Sequence, residues 1–185
     1  ALRGTAAHEL LELGVEAVLA EQKTKTPTMT NGVTLNVEDI AAVRVAEGYL
    51  TTREYDLFYQ EARVPINEAL DRPDCLGTAD HVGINFDHVS ESSILEVTDY
   101  KHGSGIMVDV EGNFQMLLYA IGAIKMPEFS DCTTVKMTIA QPRIEHQDGV
   151  IRSCSISAIE LDEWRVWFKE QAALTDDPNA PRTPG

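Results

Sequence analysis

The stretch Leu95-Glu-Val-Thr-Asp-Tyr-Lys101 alternates apolar and polar residues, a pattern typical of a half-buried β-strand. Because strand side chains alternate between two faces, Asp99 and Lys101 should end an otherwise apolar face. Charges on such a face are costly unless they are paired. The acid and the lysine should therefore either neutralise each other or serve a metal and a reaction. Taken alone, the pair also fits a simple salt bridge at a strand end.

The preceding apolar stretch, Gly77-Thr-Ala-Asp-His-Val-Gly-Ile-Asn-Phe86, carries a second acid. The same alternation places Asp80 on the face of Val82, Ile84 and Phe86. If the two strands are neighbours, Asp80 and Asp99 converge, and two close carboxylates repel unless a divalent cation lies between them. Oxygen ligands select hard ions, so Mg²⁺ or Mn²⁺ is the expected cofactor. A turn capped by the Asp80 side chain is the alternative for this residue alone.

Helical and strand periodicities follow each other in the order α, α, βββ, α, β, (β), α. Helices are predicted over residues 2–22 (start signal Thr5), 37–53 (capped by Asn36 or Asp39), 110–126 (ended by Pro127) and 158–174. Strands are predicted over residues 57–66, 76–86, 94–101, 133–142 and 150–156. This order predicts an α/β (α+β) domain over residues 1–175, with a mixed central sheet flanked by helices, and a Pro-rich tail or linker over 176–185.

Composition limits the class of protein. A chain of 185 residues suits one domain, and its longest apolar run, residues 116–121, is too short to span a bilayer. The three cysteines are odd in number and form no CxxC pair, which argues against a disulfide framework or a zinc site and favours a cytoplasmic setting. The net charge of -15 opposes phosphate binding. DNA binding would therefore need a divalent metal and a local basic patch.

Two predicted helices add polar candidates. His8 follows the small residues of Gly4-Thr-Ala-Ala-His8, which would permit close approach of another element. Gln115 and Tyr119 are four residues apart and so share a helix face. Each of these residues is ordinary when taken alone, and His8 also fits a plain surface or core position.

Together and in this order, Gly4-Thr-Ala-Ala-His8, Gly77-Thr-Ala-Asp80, Asp99-Tyr-Lys101 and Gln115-x-x-x-Tyr119 resemble the RecB-like branch of the PD-(D/E)XK nucleases. A phage- and prophage-encoded group of that branch also shares the stretch Gln141-Pro-Arg143. The resemblance covers nearly the whole chain. It implies a restriction-endonuclease-like core and metal-dependent hydrolysis of DNA.

The resemblance also implies a role for each matching residue. His8, Asp80, Asp99 and the backbone carbonyl of Tyr100 would bind the metal. Lys101 would orient or deprotonate the attacking water and stabilise the phosphate in the transition state.

Three further residues have weaker assignments. In this branch the glutamine and tyrosine of the following helix, here Gln115 and Tyr119, are associated with holding the active site and the DNA backbone. Glu61 matches an acid often found on the first core strand, and it could be an additional site residue. The alternation of its strand fits a solvent-facing side chain nearly as well.

Three functions are compatible with these motifs. The resemblance favours a phage exonuclease that acts on DNA ends in recombination or replication, as a homo-oligomer and with a recombination or single-strand-binding partner. A structure-selective endonuclease would have the same site. A catalytically silent DNA-binding or assembly protein is the third, which the acidic charge favours. Many RecB-like nucleases hold an iron–sulfur cluster, but Cys75, Cys132 and Cys154 do not have that layout.

Overall fold

The computed structural model of the chain describes residues 1–87 and 92–181. Its centre is a five-stranded sheet. The strands are β1 (Leu57–Pro65), β2 (Leu76–Asp87), β3 (Ser92–Tyr100), β4 (Thr134–Ala140) and β5 (Ile151–Ser157). They lie in the sheet in the order of the chain, and all neighbouring strands are antiparallel except the parallel pair β3 and β4. Every predicted strand is confirmed to within two residues.

Helices cover both faces of this sheet. They are α1 (Leu2–Leu13), α2 (Val15–Gln22), α3 (Val37–Thr51), α4 (Asn67–Leu70), α5 (Phe114–Ile124) and α6 (Ala158–Leu174), with a 3₁₀ turn at Pro127–Phe129. One apolar core lies between the sheet and helices α5 and α6. A second core packs α1, α2 and α3 around Tyr100 and Ala140. The predicted fold class, an α+β domain with a mixed sheet flanked by helices, is confirmed.

The first predicted helix is broken into two. Gly14 has φ 85°, a conformation that glycine tolerates and other residues rarely adopt, and it separates α1 from α2. The Glu47 side chain accepts the Val15 N–H at 3.0 Å, which satisfies a free donor at the start of α2. The start signal at Thr5 was wrong, because α1 begins at Leu2.

The ends of the other helices follow their caps. Asn36 and Asp39 form a reciprocal capping box at the start of α3, so both predicted cap residues take part. Helix α5 begins at Phe114 rather than at Val110, because the Asn113 side chain accepts the Met116 N–H at 3.1 Å. Sequence periodicity did not predict the short helix α4.

Strict alternation along β2 was also wrong. Ala79 and Val82 are three residues apart, yet both are buried in the same apolar core, so the alternation slips by one residue between them. Phe86 is 46% exposed rather than part of that face. Strand β1 is irregular opposite the same position, where the backbone of Glu61 has φ 47°. This irregularity lies at Asp80, beside the candidate site.

The first residue of the predicted C-terminal tail contacts the domain. Asp176, the first residue of the predicted tail, accepts a hydrogen bond from Arg72 at 2.7 Å. Residues 182–185 of that tail lie outside the described residues. Among the helices described, none has the length and apolar character needed to cross a bilayer.

Candidate active site

Three carboxylates stand side by side on β1, β2 and β3. Glu61 lies between two residues of β1 that pair with the residues flanking Asp80, so Glu61 faces Asp80 across the two strands. The last pair of β2 and β3, His81 with Thr98, places Asp80 next to Asp99. The register of the sheet therefore assembles the acids that the sequence singled out.

Helix α1 adds an imidazole to this row. Ala7, the residue before His8, is fully buried, which brings α1 close to the sheet. His8 Nδ1 lies 3.2 Å from Asp80 Oδ1. Ligand atoms of His8, Glu61 and Asp80 all lie within 4.8 Å of one another, around a recess of about 10 Å³ that has room for a single ion or water. Glu61 is thus exposed, yet it belongs to the site.

Lys101 joins the acids to helix α5. Its Nζ lies 2.8 Å from Asp99 Oδ2 and donates a 2.8 Å hydrogen bond to Gln115 Oε1. Gln115 Nε2 in turn donates to Asp99 Oδ1 at 3.2 Å and to the Tyr119 hydroxyl at 3.0 Å. All four residues were predicted as site residues, and one hydrogen-bonded network unites them.

The glycine of the Gly77-Thr-Ala-Asp80 motif makes room for this network. A Cβ atom at Gly77 would lie 2.8 Å from the Tyr119 ring and 3.0 Å from Val64. Any larger residue would therefore displace the Tyr119 ring or Val64. The motif needs glycine for the close approach of α5 to β2.

Electrostatics show an excess of negative charge in the site. Burial and the charge of Asp80 raise the pKa of Asp99 to about 6. Burial and the same neighbour also raise the pKa of Glu61. Burial by itself lowers the pKa of His8, but its hydrogen bond to Asp80 and the charges of the three acids outweigh burial and raise this pKa. All three raised pKa values mean that the site binds protons more tightly than the free side chains do, as an excess of negative charge predicts.

One buried acceptor in the site has no hydrogen bond. Asp99 is 3% exposed, and its Oδ2 atom forms the ion pair with Lys101 without hydrogen-bond geometry. Asp80 Oδ2, in contrast, accepts the Tyr100 N–H at 2.6 Å. The two acids and the imidazole whose ligand atoms lie within 4.8 Å of one another, Glu61, Asp80 and His8, fit a hard divalent cation such as Mg²⁺ or Mn²⁺.

The side chain of Tyr100 also makes contacts in the site, which the sequence did not predict. Its ring packs 5.3 Å from the His8 ring, and its hydroxyl lies 2.7 Å from His102 Nδ1. His102 Nε2 lies 3.0 Å from Asp39 Oδ1, and the side chains of Arg3 and Arg143 also pair with Asp39. This buried chain of contacts fixes the ring against which His8 packs. Arg143 belongs to the Gln-Pro-Arg stretch, the only sequence signal for the arrangement.

Gln141 and Arg152 hold the loop between Lys101 and α5. Gln141 is 1% exposed, and its Oε1 accepts the Val108 N–H and Arg152 Nη2, each at 3.0 Å. Its Nε2 donates to the Ile106 carbonyl at 2.8 Å, while Arg152 donates to the Val108 carbonyl at 2.7 Å. These two side chains thus replace the backbone partners that an irregular loop lacks.

Gln141→Ala should loosen this loop. The substitution leaves the Val108 N–H without an acceptor and removes one of the acceptors of the buried Arg152 guanidinium. It should therefore lower the free energy of unfolding by about 2–4 kcal/mol. Urea unfolding measures this loss, and limited proteolysis should find new cleavage within residues 102–113. The exposed Gln22, whose amide makes two hydrogen bonds to the Thr28 backbone, is the matched control. Gln22→Ala should lose under about 1 kcal/mol; equal losses in both variants would refute the special role of Gln141.

Comparison with known proteins adds one match. A family model described as "Protein of unknown function (DUF2800)" matches residues 1–181. No solved structure matches the chain.

Proposed function

Because the chain belongs to the DUF2800 family, whose description assigns no activity, we propose its function from the site: a metal-dependent deoxyribonuclease of the RecB-like PD-(D/E)XK type. One observation carries the proposal. Glu61, Asp80 and Asp99 stand in a row, with His8 against Asp80 and Lys101 against Asp99. The mixed sheet flanked by helices is compatible with a nuclease core of this type.

In this proposal His8, Glu61, Asp80 and Asp99 hold the cation. When bound, Mg²⁺ or Mn²⁺ would supply Lewis-acid stabilisation of the phosphodiester and activate the attacking water. The resemblance adds the Tyr100 carbonyl as a further ligand. The residues fit the ion because carboxylate oxygens are its preferred ligands and because ligand atoms of His8, Glu61 and Asp80 lie within 4.8 Å of one another.

Lys101 acts on the reacting phosphate. Phosphodiester hydrolysis places additional negative charge on the phosphoryl oxygens, so a fixed ammonium group stabilises the transition state more than the substrate. Gln115 and Asp99 fix this group from two sides. Tyr119 holds Gln115 in turn. The three side chains set the position of the Lys101 ammonium before substrate arrives, and such preorganisation is what electrostatic catalysis requires.

The resemblance to phage members of the RecB-like branch extends the proposal to an exonuclease that acts on DNA ends. The test compares linear duplex DNA with covalently closed circular DNA in Mg²⁺ or Mn²⁺. Progressive degradation of only the linear form is expected. Nicking of the circle would instead identify a structure-selective endonuclease with the same site. Cleavage of neither form would refute the nuclease and favour a DNA-binding or assembly protein.

A further inference from the structure

An aromatic groove opens between helices α5 and α6. Phe114 packs with its ring centroid 5.1 Å from Trp167 and 6.0 Å from Trp164. The two indoles lie edge to face, 5.5 Å apart. Together with Glu163 these residues line an open groove of about 420 Å³. Phe114 is 51% exposed, so part of its ring remains free to contact another molecule.

The groove adjoins the candidate active site. Phe114 directly precedes Gln115, whose side chain contacts both Asp99 and Lys101. The start of α5 lies beside the end of β3, because Gln115, the second residue of α5, contacts both Asp99 and Lys101. Consecutive residues of a helix point in different directions, so Gln115 faces the candidate active site while Phe114 faces α6. A single-stranded end bound at Lys101 would pass this end of α5.

The chemistry of the groove selects a base rather than a phosphate. Its lining carries one charge, the carboxylate of Glu163, and no cation. The whole chain has a net charge of -15, which repels phosphate at a distance. Stacking on an aromatic ring needs no positive charge and accepts any base, because every base has a π-face.

We propose that this aromatic groove binds an unpaired base of the DNA substrate by stacking. The inference rests on the proposed nuclease and deepens it, because it defines the substrate class as single-stranded ends or overhangs. A base inside a duplex is covered by its neighbours above and below, whereas an unpaired base can present a face to Phe114. Stacking also gives this acidic protein a source of affinity that depends little on salt.

The two tryptophans of the chain both lie in the groove, so selectively excited tryptophan fluorescence reports on this surface alone. The probe is a thymidine oligonucleotide of roughly 12 nucleotides, titrated in Mg²⁺ into the Lys101→Ala variant so that it stays intact. Saturable quenching is expected, with a blunt duplex of the same length binding about tenfold more weakly. The Kd for the oligonucleotide should change little between low and physiological salt.

Substitutions at Phe114 separate stacking from general apolar contact. Phe114→Leu keeps an apolar side chain but removes the ring, and it should raise the Kd about tenfold with an unchanged melting temperature. Phe114→Tyr should bind like the parent. Val166→Ala, on α6 and 45% exposed but outside the groove, is the control and should change nothing.

Three results would overturn the proposal: no quenching, equal Kd values for Phe114→Leu and its parent, or a dimer in sedimentation that Phe114→Leu dissociates. The last would show that a second copy of the chain fills the groove. Failure of the nuclease itself is distinguishable. In that case the wild-type protein leaves DNA intact in metal, while the titration still reports whether the base binds.

Discussion

Lys101→Ala is expected to lower the rate of DNA cleavage about 10²–10³-fold, the usual effect of removing one group that stabilises transition-state charge. The Lys101 ammonium lies 2.8 Å from both Asp99 and Gln115, so it is fixed where the proposed mechanism places the phosphate. The variant should remain folded and should still bind Mn²⁺, because the acids and His8 stay in place. Steady-state cleavage rates and calorimetric titration with Mn²⁺ measure the two properties separately.

Lys136 supplies the matched control for this substitution. It also pairs with a buried acid, Glu96, at 3.0 Å, and its side chain is 22% exposed against 26% for Lys101. Its contacts lie with Tyr49 of helix α3, away from α5 and the row of acids. Lys136→Ala should lower stability but keep cleavage. Full activity in Lys101→Ala, or equal loss in both variants, would refute the role assigned to Lys101.

Asp99→Asn is expected to abolish metal-dependent cleavage and yet to stabilise the metal-free protein. Burial and the neighbouring Asp80 raise the pKa of Asp99 to about 6 in the folded protein, from 3.8. The folded state therefore binds this proton more tightly than the unfolded state does, and stability falls as pH rises from about 4 to about 6. Above that range the ionised form costs about 2–3 kcal/mol, which asparagine avoids.

Thermal melts in EDTA measure this effect. At pH 7.5 the variant should melt roughly 5 °C above wild type, and at pH 4 the difference should disappear because Asp99 is then neutral. Excess Mn²⁺ should raise the melting temperature of wild type only. An Asp99→Asn variant that is less stable than wild type at neutral pH would show that the acid is structural.

Glu96 gives the opposite case on the other face of the same strand. Burial by itself raises its pKa, but hydrogen bonds from Thr138 and Tyr49 and the charge of Lys136 outweigh burial and lower it. Its contribution to stability is present at neutral pH and is lost as pH falls through the lowered pKa. Glu96→Gln should therefore destabilise the protein at pH 7.5, in contrast to Asp99→Asn. Glu96 and Asp99, two buried acids of β3, should thus change the stability of the protein in opposite directions when their charge is removed.

Local periodicity was sufficient to predict part of the site. Asp99 and Lys101 share a face because a strand repeats every second residue, and Gln115 and Tyr119 meet because a helix repeats nearly every fourth. These rules act between near neighbours in sequence, so a single chain reveals them. The five strands were predictable for the same reason. The family resemblance of the motifs, not periodicity, brought His8 into the site.

Contacts between distant residues were not predictable in this way. Asp39 was predicted only as a helix cap, yet it also meets His102, 63 positions later. Gln141 supports a loop more than thirty positions before it. Glu61 takes a positive φ at the level where alternation along β2 slips, and no local pattern predicts such a change. Tertiary packing and sheet register determine these features, and sequence periodicity carries no information about either.

The acidity of the chain bears directly on the proposed chemistry. A net charge of -15 gives little long-range attraction for DNA, so binding should depend on the metal and on local contacts. Glu61, Asp80 and Asp99 would repel a phosphate when no cation is present. In the proposed mechanism the same acids would make the site dependent on metal in two ways, for substrate binding and for catalysis.

The most direct measurement is the release of acid-soluble nucleotides from linear DNA by the wild-type protein, followed over time in Mg²⁺ or Mn²⁺ and in EDTA. The site predicts steady release with either metal and none in EDTA. Absence of release with both metals, from a protein that is folded by circular dichroism, would contradict the proposal that this row of acids and Lys101 form a nuclease active site.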